Sequence, residues 1–293
     1  MITRRSALAR LAACLLACAP AAAAEPAAPS GDLPGVDTEG LSSEQKATLA
    51  AWAKDALCYC GCPHTVSQCL REHGSCRHAK RMASLAARLL RAGARRELSK
   101  TVDSYYASFD RRARLDVSRF GPPLGNPAAP IALVEFSDFT CPYCQAIRSG
   151  LEAFVRARAN RVKLFYKPFP IESHPGALEC AQAAEWAREK GQFWAMHDAV
   201  FGNSGAHTVD DLADLARSLG LVPAELRDAI SDKRYVPRIR ESQGEARAAG
   251  IRGTPTLFLD GRMLVLTDYS EEGLTFTLED EEEWRTHHGW NRD

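Results

Sequence analysis

The chain has 293 residues, a length that predicts one or two domains. Hydrophobic residues make up 45% and charged residues 25%, a balance that excludes a disordered chain. Lys and Arg number 37 against 37 Asp and Glu, so no global basic field points to nucleic acid.

Ten cysteines are the unusual feature, and they are spread unevenly along the chain. Two fall in the first segment, where Arg4, Arg5 and Arg10 precede an apolar run from Leu11 to Ala24. That run suits the core of a secretory signal and is short for a membrane-spanning helix. Ala22 and Ala24 form an A-x-A site, so residues 1–24 are expected to be a signal peptide cleaved before Glu25. Thr3-Arg4-Arg5-Ser6 resembles a twin-arginine signal, leaving Sec or Tat export open. Leu15-Leu16-Ala17-Cys18 resembles a lipobox, which would leave Cys18 acylated as a lipid anchor. The expected location is the periplasm, where disulfides are permitted.

Residues 25–40 are rich in Pro, Ala and Gly and read as a flexible tether. Residues 41–120 read as a small all-α, Cys-rich domain. Leu49-Trp52-Ala53-Ala56, Met82-Leu85-Ala86-Leu89-Leu90 and Leu98-Val102-Tyr105-Tyr106-Phe109 have the spacing of three amphipathic helices, the second stopped at Gly93. Cys58, Cys60, Cys62, Cys69 and Cys76 lie among them, with His64, His73 and His78. Three roles stand open for these cysteines: structural disulfides, a relay exchanging electrons with a second thiol pair, or soft-metal binding of zinc or Cu(I). Their spacing matches no standard zinc pair. The arrangement, ending in Glu97-Leu98-Ser99-Lys100 through Phe109, is similar to the CcmH-type domain of cytochrome c maturation. Here the run is C-x-C-x-C rather than C-x-x-C, so that domain's redox pair has no counterpart.

Gly121-Pro122-Pro123-Leu124-Gly125-Asn126-Pro127 is the densest turn punctuation and marks a linker. It separates unlike charges: residues 25–120 carry 15 basic and 11 acidic groups, net +4, and residues 121–293 carry 19 and 26, net −7. Arg71, Arg77, Lys80, Arg81 and Arg88 would favour thiolates and docking on the acidic part.

Ile131–Phe139 reads as a central strand running into Cys141-Pro142-Tyr143-Cys144 and then a helix to Ala157. At such a junction Cys141 caps the helix, where unpaired N–H groups favour a thiolate. Pro142 suits the first turn, and Cys144 lies one turn on. Val162–Phe169 reads as a strand. Helical patterns follow over Ala177–Lys190, Phe193–Phe201, Val209–Leu219, Pro223–Ile230 and Val236–Ala249. Pro255 then opens an apolar strand at Gly250-Ile-Arg-Gly-Thr254-Pro255-Thr-Leu-Phe-Leu-Asp-Gly261.

These motifs, in this order, resemble the DsbA-like branch of the thioredoxin superfamily, the extracytoplasmic disulfide oxidoreductases. The resemblance spans residues 121 to 263. It implies an α/β thioredoxin fold with an inserted helical subdomain at about residues 172–232, within a domain of residues 121–293. It also implies that Cys141 attacks, Cys144 resolves, and Thr254 and a cis Pro255 bind substrate backbone beside Pro142 and Tyr143. Glu135 matches the family's buried acid, which assists proton transfer to the second cysteine. Asp138 is expected to be exposed, and Cys180 to be a buried free thiol.

Past Gly261, Met263–Thr267 can complete the sheet and Leu278–Trp284 can close the fold as a helix. Glu279-Asp280-Glu281-Glu282-Glu283 is expected at that helix's N-terminus as a solvated face, and His287-His288 as a frayed tail. The expected function is an exported thiol–disulfide oxidoreductase, a DsbA-like donor of the Cys141–Cys144 disulfide to protein substrates. It would need no cofactor beyond that disulfide, with metal possible in the first domain, and a membrane redox partner of DsbB or DsbD type. The alternative is a copper- or zinc-handling or cytochrome c maturation accessory that uses the second domain as a thiol reductase.

Overall fold

The computed structural model describes residues 33–203, 207–266 and 268–287. The signal segment with Cys14 and Cys18, Thr267 and His288 lie outside the described residues. The described residues fall in one compact unit.

Four helices come first: α1 (Ser43–Asp55), α2 (Val66–Glu72), α3 (Arg77–Arg91) and α4 (Leu98–Ala107). Ser42 opens α1 with a capping box closed by Gln45. The short α2 was not foreseen from periodicity, yet Thr65-Val-Ser-Gln68 is a capping box and was its signal. Leu49, Met82, Leu85, Val102 and Phe109 close a core for this layer, which also takes in Leu33. Within the expected tether, Leu33 is therefore buried and Val36 packs partly against the same core, while most of residues 34–40 are exposed.

The α/β part has strands β1 (Ile131–Ser137), β2 (Val162–Pro168), β3 (Thr256–Leu259) and β4 (Arg262–Met263) in the order β2-β1-β3-β4. β1 runs parallel to β2 and antiparallel to β3. Helix α5 (Pro142–Ala157) makes the crossover from β1 to β2. Between β2 and β3 come α6 (Ala177–Glu189), α7 (Phe193–Gly202), α8 (Val209–Ser218), α9 (Pro223–Ser231) and α10 (Val236–Ala248), and α11 (Glu271–His287) closes the chain. This is the expected α/β architecture, with α6–α9 as the helical insert.

Alternation along β1 sorts its side chains. Ile131 and Leu133 pack with α5 and α11, while Val134 and Phe136 pack on the opposite face with Ala246 of α10. Glu135 shares the first face. The expected linker is tied to the sheet, because Leu124 exchanges backbone hydrogen bonds with Leu164. Asp260 and Gly261, both with positive φ, turn β3 into β4. A Cβ on Gly261 would come within 2.4 Å of the Ala113 carbonyl oxygen, so this close approach requires glycine.

One expectation fails outright. The acidic run does not open α11 but sits within it, and Asp280 and Glu281 are fully buried. Arg81 Nε donates to Asp280, Tyr105 Oη donates to its other oxygen at 2.7 Å, and Arg262 Nε and Arg112 donate to Glu281 at 2.9 and 2.6 Å. Arginines from the first layer and from β4 balance these carboxylates, which is why they tolerate burial. Arg77 reaches Glu283 and Arg88 reaches Asp268 and Glu272, so the basic layer does meet the acidic helix.

Candidate functional site

The strand-to-helix junction forms as the residue types require. Cys141 is the N-cap of α5 and Pro142 occupies its first turn. At the N-cap the helix dipole favours negative charge on the Cys141 sulfur, whose side chain makes no capping hydrogen bond. The Cys141 thiol donates to the Thr254 carbonyl oxygen at 3.5 Å, and the Thr254–Pro255 peptide is cis. Cys141 is 3% exposed and Cys144 fully buried, while Pro142 and Tyr143 stand out to solvent, Tyr143 at 73%. Pro142 and Tyr143 are thus the exposed part of a junction whose two sulfurs are buried.

Beneath α5 the site is buried. Burial pushes the Glu135 carboxyl up from 4.5 to about 7, helped by the charge of Glu152. Burial also pushes the Cys144 thiol up to about 12, and the nearby Glu135 charge raises it further. A carboxyl poised near neutrality beside a thiol that holds its proton has the properties of a proton acceptor for that thiol.

Asp138 is not exposed, contrary to the sequence-based expectation; it is 1% exposed. Its carboxylate accepts from the Thr140 backbone and hydroxyl, each at 2.8 Å, from the Ile171 amide at 2.9 Å, and meets His174 Nδ1 at 2.8 Å. Four partners satisfy the buried charge. Together they pin the turn ahead of Cys141 to the chain leaving β2. Sequence reading gave His174 no role, because it meets Asp138 only through the fold. Cys180 is fully buried on α6, and burial pushes its thiol up strongly, as suits an inert core thiol.

The five N-terminal cysteines lie apart from this junction but close to one another. Cys58 Sγ is 3.8 Å from Cys76 Sγ and Cys60 Sγ is 3.9 Å from Cys69 Sγ. Cys62 Sγ stands 3.0 Å from Cys60 and 3.1 Å from Cys69. His64 and His73 stack beside them, their ring nitrogens 3.1 Å apart.

The family model described as thioredoxin (Thioredoxin_4) matches residues 119–280, more than half of the chain and all of the Cys141 junction. The four N-terminal helices lie outside that match. A thioredoxin-like oxidoreductase from Silicibacter pomeroyi DSS-3 superposes with a TM-score of 0.52 at 28% identity, over 58% of this chain and 99% of that one. Oxidised BdbD from Bacillus subtilis superposes at 0.50 and 22% identity, over 58% of this chain and 98% of its own, a likeness of fold. Among curated proteins, the Na(+)/H(+) antiporter NhaA 1 of Salinispora arenicola is 34% identical over 139 residues, 47% of this chain and 21% of that protein. This chain thus spans a minor part of those curated relatives. No helix among the described residues is long and apolar enough to cross a membrane.

Proposed function

Because the chain belongs to the Thioredoxin_4 family, in its DsbA-like branch, we propose that it is an exported thiol–disulfide oxidoreductase that passes the Cys141–Cys144 disulfide to protein substrates. The observation that carries this reading is Cys141 as the N-cap of α5, with Thr254 and cis Pro255 at its sulfur and Cys144 buried one turn on. A substrate thiolate attacks Cys141 Sγ, the Cys141–Cys144 bond breaks, and Cys144 leaves and takes a proton that Glu135 supplies. A second substrate thiolate then attacks the mixed disulfide and releases Cys141 as a thiolate. Two electrons pass from the substrate dithiol to the cysteine pair, and the substrate gains one disulfide.

Thr254 and Pro255 bind the substrate backbone in this reading, and Pro142 and Tyr143 form the approach surface. A membrane redox partner of DsbB type removes the electrons; were the net flow reductive, a DsbD-type partner would supply them. Cys141→Ser is expected to abolish both insulin reduction and refolding of reduced RNase, and retained activity would overturn the proposal. Equilibration of Cys141–Cys144 with glutathione tests the direction. A potential near or below thioredoxin's, about −270 mV, would sink the oxidase reading and leave a reductase.

A further inference from the structure

The N-terminal cysteines satisfy a geometric test that their spacing along the chain does not suggest. Cys58, Cys60, Cys69 and Cys76 place their sulfurs within 4.8 Å of one another. Within that set, Cys58–Cys76 at 3.8 Å and Cys60–Cys69 at 3.9 Å share no atom, so they are opposite edges of one four-sulfur figure. Zinc bound about 2.3 Å from each of four thiolates holds them at tetrahedron edges of about 3.8 Å.

The supporting backbone fits a thiolate site as well. Cys76 is the N-cap of α3, a helix of 15 residues whose first-turn N–H groups favour negative charge at its sulfur. Cys58 is held by its amide on the His64 carbonyl oxygen at 3.0 Å, and Cys69 lies on α2 behind the Thr65 cap. Cys58, Cys69 and Cys76 are buried and Cys60 half-buried, which leaves no open coordination position of the kind a catalytic metal keeps.

We propose that Cys58, Cys60, Cys69 and Cys76 bind one zinc ion as a closed tetrathiolate that fastens the end of α1 to α2 and α3. Binding converts four thiols into four thiolates, releases four protons and leaves a complex of net charge −2. Cys62 stands at the rim beside Cys60 and Cys69 and is not a ligand. The site stands independently of the Cys141–Cys144 chemistry.

The test is metal analysis of the full-length protein, purified without chelator, with parallel peptide mapping of unreduced samples. One equivalent of zinc is expected, unchanged in Cys62→Ser and in Cys141→Ser, and lowered at least tenfold in Cys60→Ser, whose half-buried position makes it the mildest ligand change. Because a ligand variant can misfold, the wild-type protein exchanged with cobalt(II) supplies a second reading. It should show the intense d–d and sulfur charge-transfer bands of a tetrahedral tetrathiolate. Stoichiometric copper in place of zinc, zinc retained by Cys60→Ser, octahedral cobalt spectra, or disulfides joining these cysteines in metal-free protein would each overturn the proposal.

Discussion

A negative charge on Glu135 raises the thiol of Cys144, so the two buried groups do not ionise independently. One sits on β1 and the other on α5, and alternation along β1 aims the carboxyl at the helix that carries the thiol. This pairing makes pH a probe of the exchange chemistry.

In the proposed exchange, resolution of a mixed disulfide at Cys141 needs the Cys144 proton removed. With Glu135 raised to about 7, its carboxylate becomes available as pH rises through neutrality. The rate of mixed-disulfide resolution is therefore expected to climb between about pH 6 and 8, with general-base assistance on the order of 100-fold. Glu135→Gln should flatten that rise while leaving Cys141 alkylation unchanged. Stopped-flow resolution of a Cys141–glutathione adduct across this range makes the check, and an unaltered profile in the variant would remove Glu135 from proton transfer.

The same group makes stability depend on pH. The folded chain binds the Glu135 proton more tightly than the unfolded chain, whose carboxyl keeps its ordinary value of 4.5. Between about 4.5 and about 7 the folded state holds more protons, so stability falls as pH rises through this window and levels above it. A gap of that size corresponds to about 3 kcal/mol at most. Urea unfolding of reduced protein at pH 5 and pH 8 should show wild type losing more stability than Glu135→Gln over the same interval. Equal losses would mean that Glu135 is not held raised.

Asp280 carries a structural prediction. It is fully buried and serves both Arg81 and Tyr105. Asp280→Ala leaves a guanidinium and a hydroxyl without that partner and is expected to cost about 3–5 kcal/mol. Glu272, 80% exposed at its pair with Arg88, is the control, and Glu272→Ala should cost about 1 kcal/mol or less. Denaturant midpoints at constant m-value give both numbers. A loss below about 1 kcal/mol for Asp280→Ala would mean that this buried pair contributes little to holding the layers together.

Much of this protein was legible locally. The strand before Cys141, the helix after it and the helices of the insert follow from apolar periodicity and from start signals a few residues long. Thr254-Pro255 could be placed at the opening of β3 for the same reason, since proline interrupts a strand pattern where it stands. The α2 helix was equally local and was missed only because its capping box, Thr65 to Gln68, sits amid cysteines and too few apolar residues to show a period.

The errors share one physical cause. Asp138 and the run from Glu279 to Glu283 look solvated because isolated charge is costly to bury; Thr140 is the one nearby partner of Asp138, and the other groups that offset the cost lie elsewhere in the sequence. Arg81, Tyr105 and Arg112 are far from Asp280 and Glu281 along the chain, and His174 and Ile171 are far from Asp138; only folding brings them together.

Cysteine count and zero net charge, the first features of the sequence, divide in the same way. By itself the sequence determined that Cys141 and Cys144 stand at a helix N-terminus, because the strand, the turn, Pro142 and the helix are contiguous. It also determined that a basic segment precedes an acidic one. Tertiary structure alone decided that the two segments meet through buried ion pairs on α11. It alone decided too that sulfurs from Cys58 to Cys76 converge on one point, since convergence depends on how α1, α2 and α3 pack, and spacing along a chain does not encode the angle between helices.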